Sequence, residues 1–397
     1  MKITYSRILM WLLIMSPIAD NINGYLLLNG ISSSISIIIK TFIFMFCIFL
    51  SLRITTVKKA FQIIGMLFFF IFQIIVFAFS DSGGVAYNVS ALIKLLTPIV
   101  IVMAVRSLSV NDRNITVYIN TIINFYSWFF PISLIVPKLF NIGYATYDGG
   151  IGNKGFYYAG NEISIVMIII LMVEVVKYKN SKSKANLLNF LLGIISVLYL
   201  GTKSVYISLL VFIVVALYSK QNINKKILNF AFITPAIFFG GWYVINNVAF
   251  VTRNLETLIW KYSVSSTGII NFLLSGREIQ LSNARKLVYS ENILQKIFWG
   301  IGSNTAENEL RVLIEMDLFD LFIRFGIVVS IIIIGFYIKY IKRVMQSRQL
   351  LCIIGISLVY GASFFAGHML FSPMVSIVLA ILLLKFEFAL EMAERVF

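Results

Sequence analysis

The sequence predicts an all-α polytopic membrane protein of about twelve transmembrane helices with one large extracytoplasmic loop. Three observations carry this prediction. Hydrophobic residues make up 59% of the 397, charged residues only 13%, and the mean hydropathy is +0.92, which leaves too little polar surface for a chain folded in water. Apolar runs of roughly 20 residues recur along the chain, each long enough to cross ~30 Å of hydrocarbon as a helix. Stretches such as Ile331 to Ile334 and Phe68 to Phe72 are apolar at successive positions, whereas the strand of a closed barrel alternates between lipid and lumen.

Taken in order, the spans fall near 7–19, 31–52, 61–79, 89–105, 115–136, 161–176, 187–200, 204–218, 228–247, 313–338, 350–367 and 373–386. The first follows Lys2 and Arg7 like a signal peptide, but so many spans come after it that it reads as a retained helix. Cations close or precede the others at alternate connections: Arg53, Lys58 and Lys59, Arg106 and Arg113, Lys177 to Lys184, Lys220 to Lys226, Lys339 to Arg348, and Lys385 with Arg395. By the positive-inside rule that side is cytoplasmic and both termini are expected there. The formal charge of +16 is then a topology signal and a contact with anionic lipid heads, so no nucleic-acid partner is expected.

The opposite face carries short, nearly chargeless connections and two longer ones. One loop covers 137–160 and is rich in Gly and Tyr. The other, 247–312, holds Arg253, Lys261, Arg277, Arg285, Lys286, Lys296 and Arg311. Long loops are translocated whatever their charge, so these cations need their own explanation, and a phosphate ligand supplies one. Glu278 to Val288 can form an amphipathic helix, giving the loop the makings of a small helical cap. With no internal repeat and no composition break, residues 1–397 read as a single integral membrane domain.

Candidate chemistry is confined to a few residues. Cys47 and Cys352 sit inside apolar runs and His368 is the lone histidine, so no disulfide framework, no thiolate or histidine metal centre and no cofactor is expected. The segment Gly152 to Ser164 delivers Lys154, Asn161 and Glu162 to the start of a helix, where the carboxylate matches the helix dipole. Gly201-Thr202-Lys203 forms a turn that sets Lys203 at a membrane surface. Ser275-Gly276-Arg277, Gly300-Ile301-Gly302 and the acids Glu315, Asp317 and Asp320 follow; acids at the edge of a span are costly in lipid and should face the bundle or a wet cavity. His368 lies in a tight connection and can accept a proton near neutral pH. Each has a plainer reading as well: a helix-capping acid, a solvated cation, an imidazole bonded to a backbone carbonyl.

On the segment Gly155-Phe156-Tyr157-Tyr158-Ala159-Gly160-Asn161-Glu162, the Gly201-Thr202-Lys203 turn, Ser275-Gly276-Arg277, Gly300-Ile301-Gly302 and Glu315-Met316-Asp317, the sequence resembles the O-antigen ligases and Wzy-type polysaccharide polymerases over about residues 140–375. The resemblance implies a GT-C-like fold in a bacterial cytoplasmic membrane. It also implies metal-independent glycosyl transfer from an undecaprenyl-diphosphate-linked oligosaccharide, with membrane lipid and other capsule assembly or export proteins as further partners. Ligases of the family tend to carry a histidine shortly after the Gly-x-Gly element, where this chain has Glu309, Glu315 and Asp317.

The residue types suit that chemistry. Negative charge on a departing lipid diphosphate grows in the transition state, so cations aimed at it accelerate the reaction; Arg277 is the first choice. An acceptor hydroxyl needs a base, for which Asp317, Glu315 or His368 would serve. Lys154, Asn161, Glu162, Lys203, Arg253 and Arg285 are the expected substrate-binding residues, and Tyr157 and Tyr158 could stack on sugar rings. The expected activity is polymerisation of lipid-linked repeat units; ligation to another acceptor, flipping of the lipid-linked unit, and a non-catalytic scaffold are the rivals.

Overall fold

A computed structural model describes residues 4–53, 57–80, 84–147, 152–181, 183–218, 277–289, 292–310, 314–346 and 350–394. Among them lie fourteen helices and no extended strand: α1 (Tyr5–Leu28), α2 (Ile35–Arg53), α3 (Val57–Ser80), α4 (Val85–Ser109), α5 (Ile115–Leu139), α6 (Gly160–Ser181), α7 (Lys184–Leu200), α8 (Lys203–Tyr218), α9 (Arg277–Val288), α10 (Ile293–Trp299), α11 (Ser303–Leu310), α12 (Asp317–Gln346), α13 (Leu350–Ala366) and α14 (Pro373–Glu394). Five of them, α2, α4, α5, α12 and α14, are long and apolar enough to cross a membrane, and shorter apolar helices lie within α3, α7, α8 and α13. The chain is an integral membrane protein. The span expected at 228–247 lies outside the described residues.

The chain divides into two compact units, Met1–Tyr126 with Gly276–Arg348 and Tyr360–Phe397, and Ser127–Ser275 with Gln349–Val359. In the first, α1 packs on α2, α2 on α4, and α4 on α14. Residues Met374 to Leu384 of α14 are all buried, as expected of a helix that is apolar all round. α2 and α3 turn Ile37, Ile38, Phe42, Phe68 and Phe79 outward, surfaces suited to lipid. Expected to stop near residue 19, α1 instead runs through Pro17 to Leu28. In its polar stretch Asp20 Oδ1 pairs with Lys40 of α2 at 2.5 Å and accepts from Ser36.

In the second unit α6 is central: Ile163 to Val175 are buried without interruption, and α7 and α8 pack on it. Hydrocarbon offers no hydrophobic drive between helices, so close packing must hold them. Small residues at the contacts permit it; a Cβ on Gly193 of α7 would lie 3.1 Å from Leu171. Glu174 of α6, fully buried, is bonded by Lys177 one turn on at 2.8 Å, and that ammonium also donates to Ser127 Oγ at 3.0 Å.

Within the stretch read from sequence as one loop, α9, α10 and α11 follow one another, α9 bearing out the amphipathic helix expected there. The following span, expected at 313–338, is broken. Gly326 of α12 has φ 69° and ψ −176°, which frees carbonyls near the break. Two are taken by the Gly-x-Gly element: Ile301 N–H donates to Ile323 O at 2.9 Å and Gly302 N–H to Arg324 O at 3.1 Å. The crossing admits no side chain. A Cβ on Gly300 would lie 2.2 Å from Arg324 O, and one on Gly326 would lie 2.3 Å from Phe298 O. The short first part of α12 is thus set apart from the span that follows Gly326.

Candidate functional site

At the end of the first unit where α12 begins and α13 ends, three candidates meet. Arg277, the first residue of α9, donates from Nη2 to Glu315 Oε2 at 2.7 Å. His368 Nε2 lies 3.6 Å from Glu315 Oε1, an electrostatic contact longer than a hydrogen bond. The imidazole and the guanidinium together outweigh partial burial and hold the Glu315 carboxyl down at about 2. Arg277, His368 and Glu315 are 13%, 23% and 36% exposed at their side chains, so a ligand can reach the group.

Backbone strain accompanies this meeting. Glu315 has φ 57° and His368 φ 70°, both left-handed for a residue with a Cβ, and Gly367 between them in space has φ 65°. At Glu315 and His368 such conformations cost on the order of 1 kcal/mol or more each and persist only where the surroundings enforce them. Here the two turns lie back to back: a Cβ on Gly367 would come within 2.5 Å of Glu315 O.

The enforcement comes from two aspartates at the start of α12. Asp317, 1% exposed, accepts at Oδ2 from Ser363 Oγ (2.5 Å), Met369 N–H (2.7 Å) and Leu370 N–H (3.3 Å). It thereby clamps the turn just after His368. Asp320, also buried, accepts from Met316 N–H at 3.2 Å and so fixes the residue after Glu315. Beneath them Arg324 lies 3.9 Å from Asp320 Oδ1, with its guanidinium 4.7 Å over the Phe371 ring. Asp317, a candidate base from sequence, is thus a buried acceptor whose Oδ2 is already committed.

Other candidates lie elsewhere. Arg285, exposed near the end of α9, has its guanidinium 5.7 Å over the Tyr289 ring. Lys154, Asn161, Glu162 and Lys203 belong to the second unit. There Lys154 Nζ lies 5.7 Å over Tyr144 and 6.0 Å over Tyr158. Asn161 and Glu162 open α6, and Lys203 opens α8 after a left-handed Gly201 that caps α7. Thr202 Oγ1 and Ser164 Oγ share a hydrogen bond of 2.7 Å. Tyr158 is exposed, but Tyr157 is buried with its hydroxyl 2.9 Å from Ser133 Oγ, so it cannot stack on a sugar ring. Arg253 lies outside the described residues.

Sequence reading missed Ser363, Gly367 and the stapling role of Asp320. A glycine directly after a helix was a legible signal for Gly367, being the usual left-handed terminator; the partners of Asp317 had none. Among the described residues no three of His, Cys, Asp and Glu converge as a metal-binding group.

Comparison with known proteins agrees with the sequence resemblance. No curated protein and no solved structure matches the chain. A family model described as "O-antigen ligase like membrane protein" matches residues 260–391, a stretch that includes Arg277, Glu315, Asp317, Asp320 and His368. Over this third of the chain the protein is similar to O-antigen ligase-like membrane proteins.

Proposed function

We propose that the protein is a membrane glycosyltransferase of polysaccharide assembly. It joins undecaprenyl-diphosphate-linked oligosaccharide repeat units into a capsular or O-antigen-like polysaccharide at the outer face of a bacterial cytoplasmic membrane. In this reading the chain crosses the bilayer about twelve times in a GT-C-like arrangement, with both termini cytoplasmic and the Arg277 end outside. The observation that carries it is the linked trio Arg277, Glu315 and His368, exposed to ligand and held by buried aspartates at one end of the membrane helices.

Each member has a task. Arg277 covers the diphosphate as the bond between the sugar C1 and the phosphate oxygen breaks, where its charge is worth most. His368 takes the proton of the acceptor hydroxyl as that oxygen bonds to C1. Glu315 stays ionised, stabilising the imidazolium that forms and aligning the guanidinium. A carboxylate held at about 2 is too weak a base to compete with imidazole, which favours His368. Lys154, Asn161, Glu162, Lys203, Arg253 and Arg285 remain the proposed contacts to the rest of the lipid-linked substrate, and export proteins the proposed partners.

Purified protein given lipid-linked repeats tests the reading: the wild type should make polymer and Arg277→Ala should not, while both unfold cooperatively on heating. Polymer from Arg277→Ala at the wild-type rate would end it. The second reading, a ligase, is favoured by the description of the matching family. A deletion strain separates the two, accumulating single repeats if the enzyme is a polymerase and unattached long polymer if it is a ligase.

A further inference from the structure

At the opposite end of the first unit, three helices meet around one buried carboxylate. Glu387 of α14, 3% exposed, accepts from Arg106 of α4 at both oxygens, Nε to Oε2 being 3.0 Å, and from Arg343 Nη1 of α12. The Arg106 and Arg343 guanidiniums lie 5.6 and 6.0 Å over the Tyr340 ring, whose hydroxyl is 3.5 Å from Glu387 Oε2. Lys339, exposed and one turn before Arg343 on α12, lies on the same helix face as that arginine. Two guanidiniums therefore face one carboxylate, with the Lys339 ammonium one helical turn from Arg343.

Exposure is divided by sign: Arg106 and Arg343 are 28% and 32% exposed at their side chains, against 3% for Glu387. The carboxylate organises the arginines from behind and leaves their outer edges to the surroundings. Those surroundings follow from helix length. At ~1.5 Å per residue α4 rises about 31 Å from Val85 to Arg106, and α12 about 24 Å from Ile327 to Arg343. The α4 rise matches the ~30 Å hydrocarbon layer and the α12 rise after its break covers most of it, which puts the cluster near headgroup level.

We propose that Arg106, Lys339 and Arg343 form a binding site for the phosphodiester headgroup of an anionic membrane lipid, with Glu387 and Tyr340 fixing the two guanidiniums. Two preorganised forks and a point charge suit a singly charged phosphate with several acceptor oxygens. The site stands apart from the glycosyl-transfer reading and does not depend on it.

Native mass spectrometry of the full-length protein in detergent tests it. Phosphatidylglycerol should bind more tightly than phosphatidylcholine of the same acyl chains, and millimolar inorganic phosphate should not displace it. Lys339→Gln, which leaves the Glu387 contacts intact, should weaken phosphatidylglycerol binding about fivefold, and Lys339→Gln with Arg343→Gln about 25-fold. Equal binding of the two lipids, full displacement by phosphate, or an unchanged Lys339→Gln variant would each overturn the proposal.

Discussion

Replacing Asp317 separates two roles that a carboxylate near His368, the proposed base, can play. In Asp317→Ala the Ser363 hydroxyl and the Met369 and Leu370 N–H groups lose their acceptor in a buried site. An unsatisfied buried donor costs about 1–3 kcal/mol, and with partial relaxation the three together should cost about 3–5 kcal/mol. The turn that carries His368 would also lose the contact that holds its left-handed backbone. Asp317→Asn differs: one amide oxygen can still accept from the same three donors, while the amide nitrogen takes the place of Oδ1, which has no partner among the described residues. That variant should lose only about 1 kcal/mol and keep at least a tenth of the wild-type rate in the proposed polymerisation. Thermal unfolding in detergent gives the first quantity and polymer formed from lipid-linked repeats the second. A folded Asp317→Asn protein as inactive as Asp317→Ala would refute the positioning role and restore Asp317 as the base.

Three further outcomes are expected. Gly367→Ala should disable the enzyme while leaving it folded, because a Cβ would meet Glu315 O at 2.5 Å in a left-handed backbone; normal turnover by that variant would contradict the back-to-back turns. Gly300→Ala should lower the unfolding temperature by several degrees, since the backbone crossing with α12 has no room for a methyl group. Glu315 contributes stability only while ionised. Its carboxyl is held below the ordinary 4.5, at about 2, so the contribution is complete above pH ~4.5 and is lost as pH falls toward 2. Solvent screening of this part-exposed group limits it to about 1 kcal/mol. Urea unfolding of the wild type and Glu315→Gln should therefore differ at pH 7 and converge at pH 2, and a constant difference would contradict the pairing.

The reach of sequence reading is seen in particular residues. The apolar runs that become α4, α6 and α14 were legible, because a helix that must face lipid or core on every side leaves no polar face to conceal it. Arg277, Glu315 and His368 were legible as candidates, since charge is scarce in such a chain and costly wherever it occurs. What none of these patterns contains is that α12 breaks at Gly326, or that the Gly300 to Gly302 backbone satisfies the carbonyls of Ile323 and Arg324. Likewise Asp317 looked like Glu315 in sequence, yet one is a buried staple and the other an accessible member of the trio.

Composition and hydropathy thus determined that this chain lives in a membrane as helices, because hydrocarbon leaves the backbone no other way to satisfy its polar groups. Only the tertiary structure decided which scarce charges meet. Pairing across 38 residues, as between Arg277 and Glu315, or across 52, as between Asp317 and Met369, follows from how helices pack and turns abut, and no local periodicity records it.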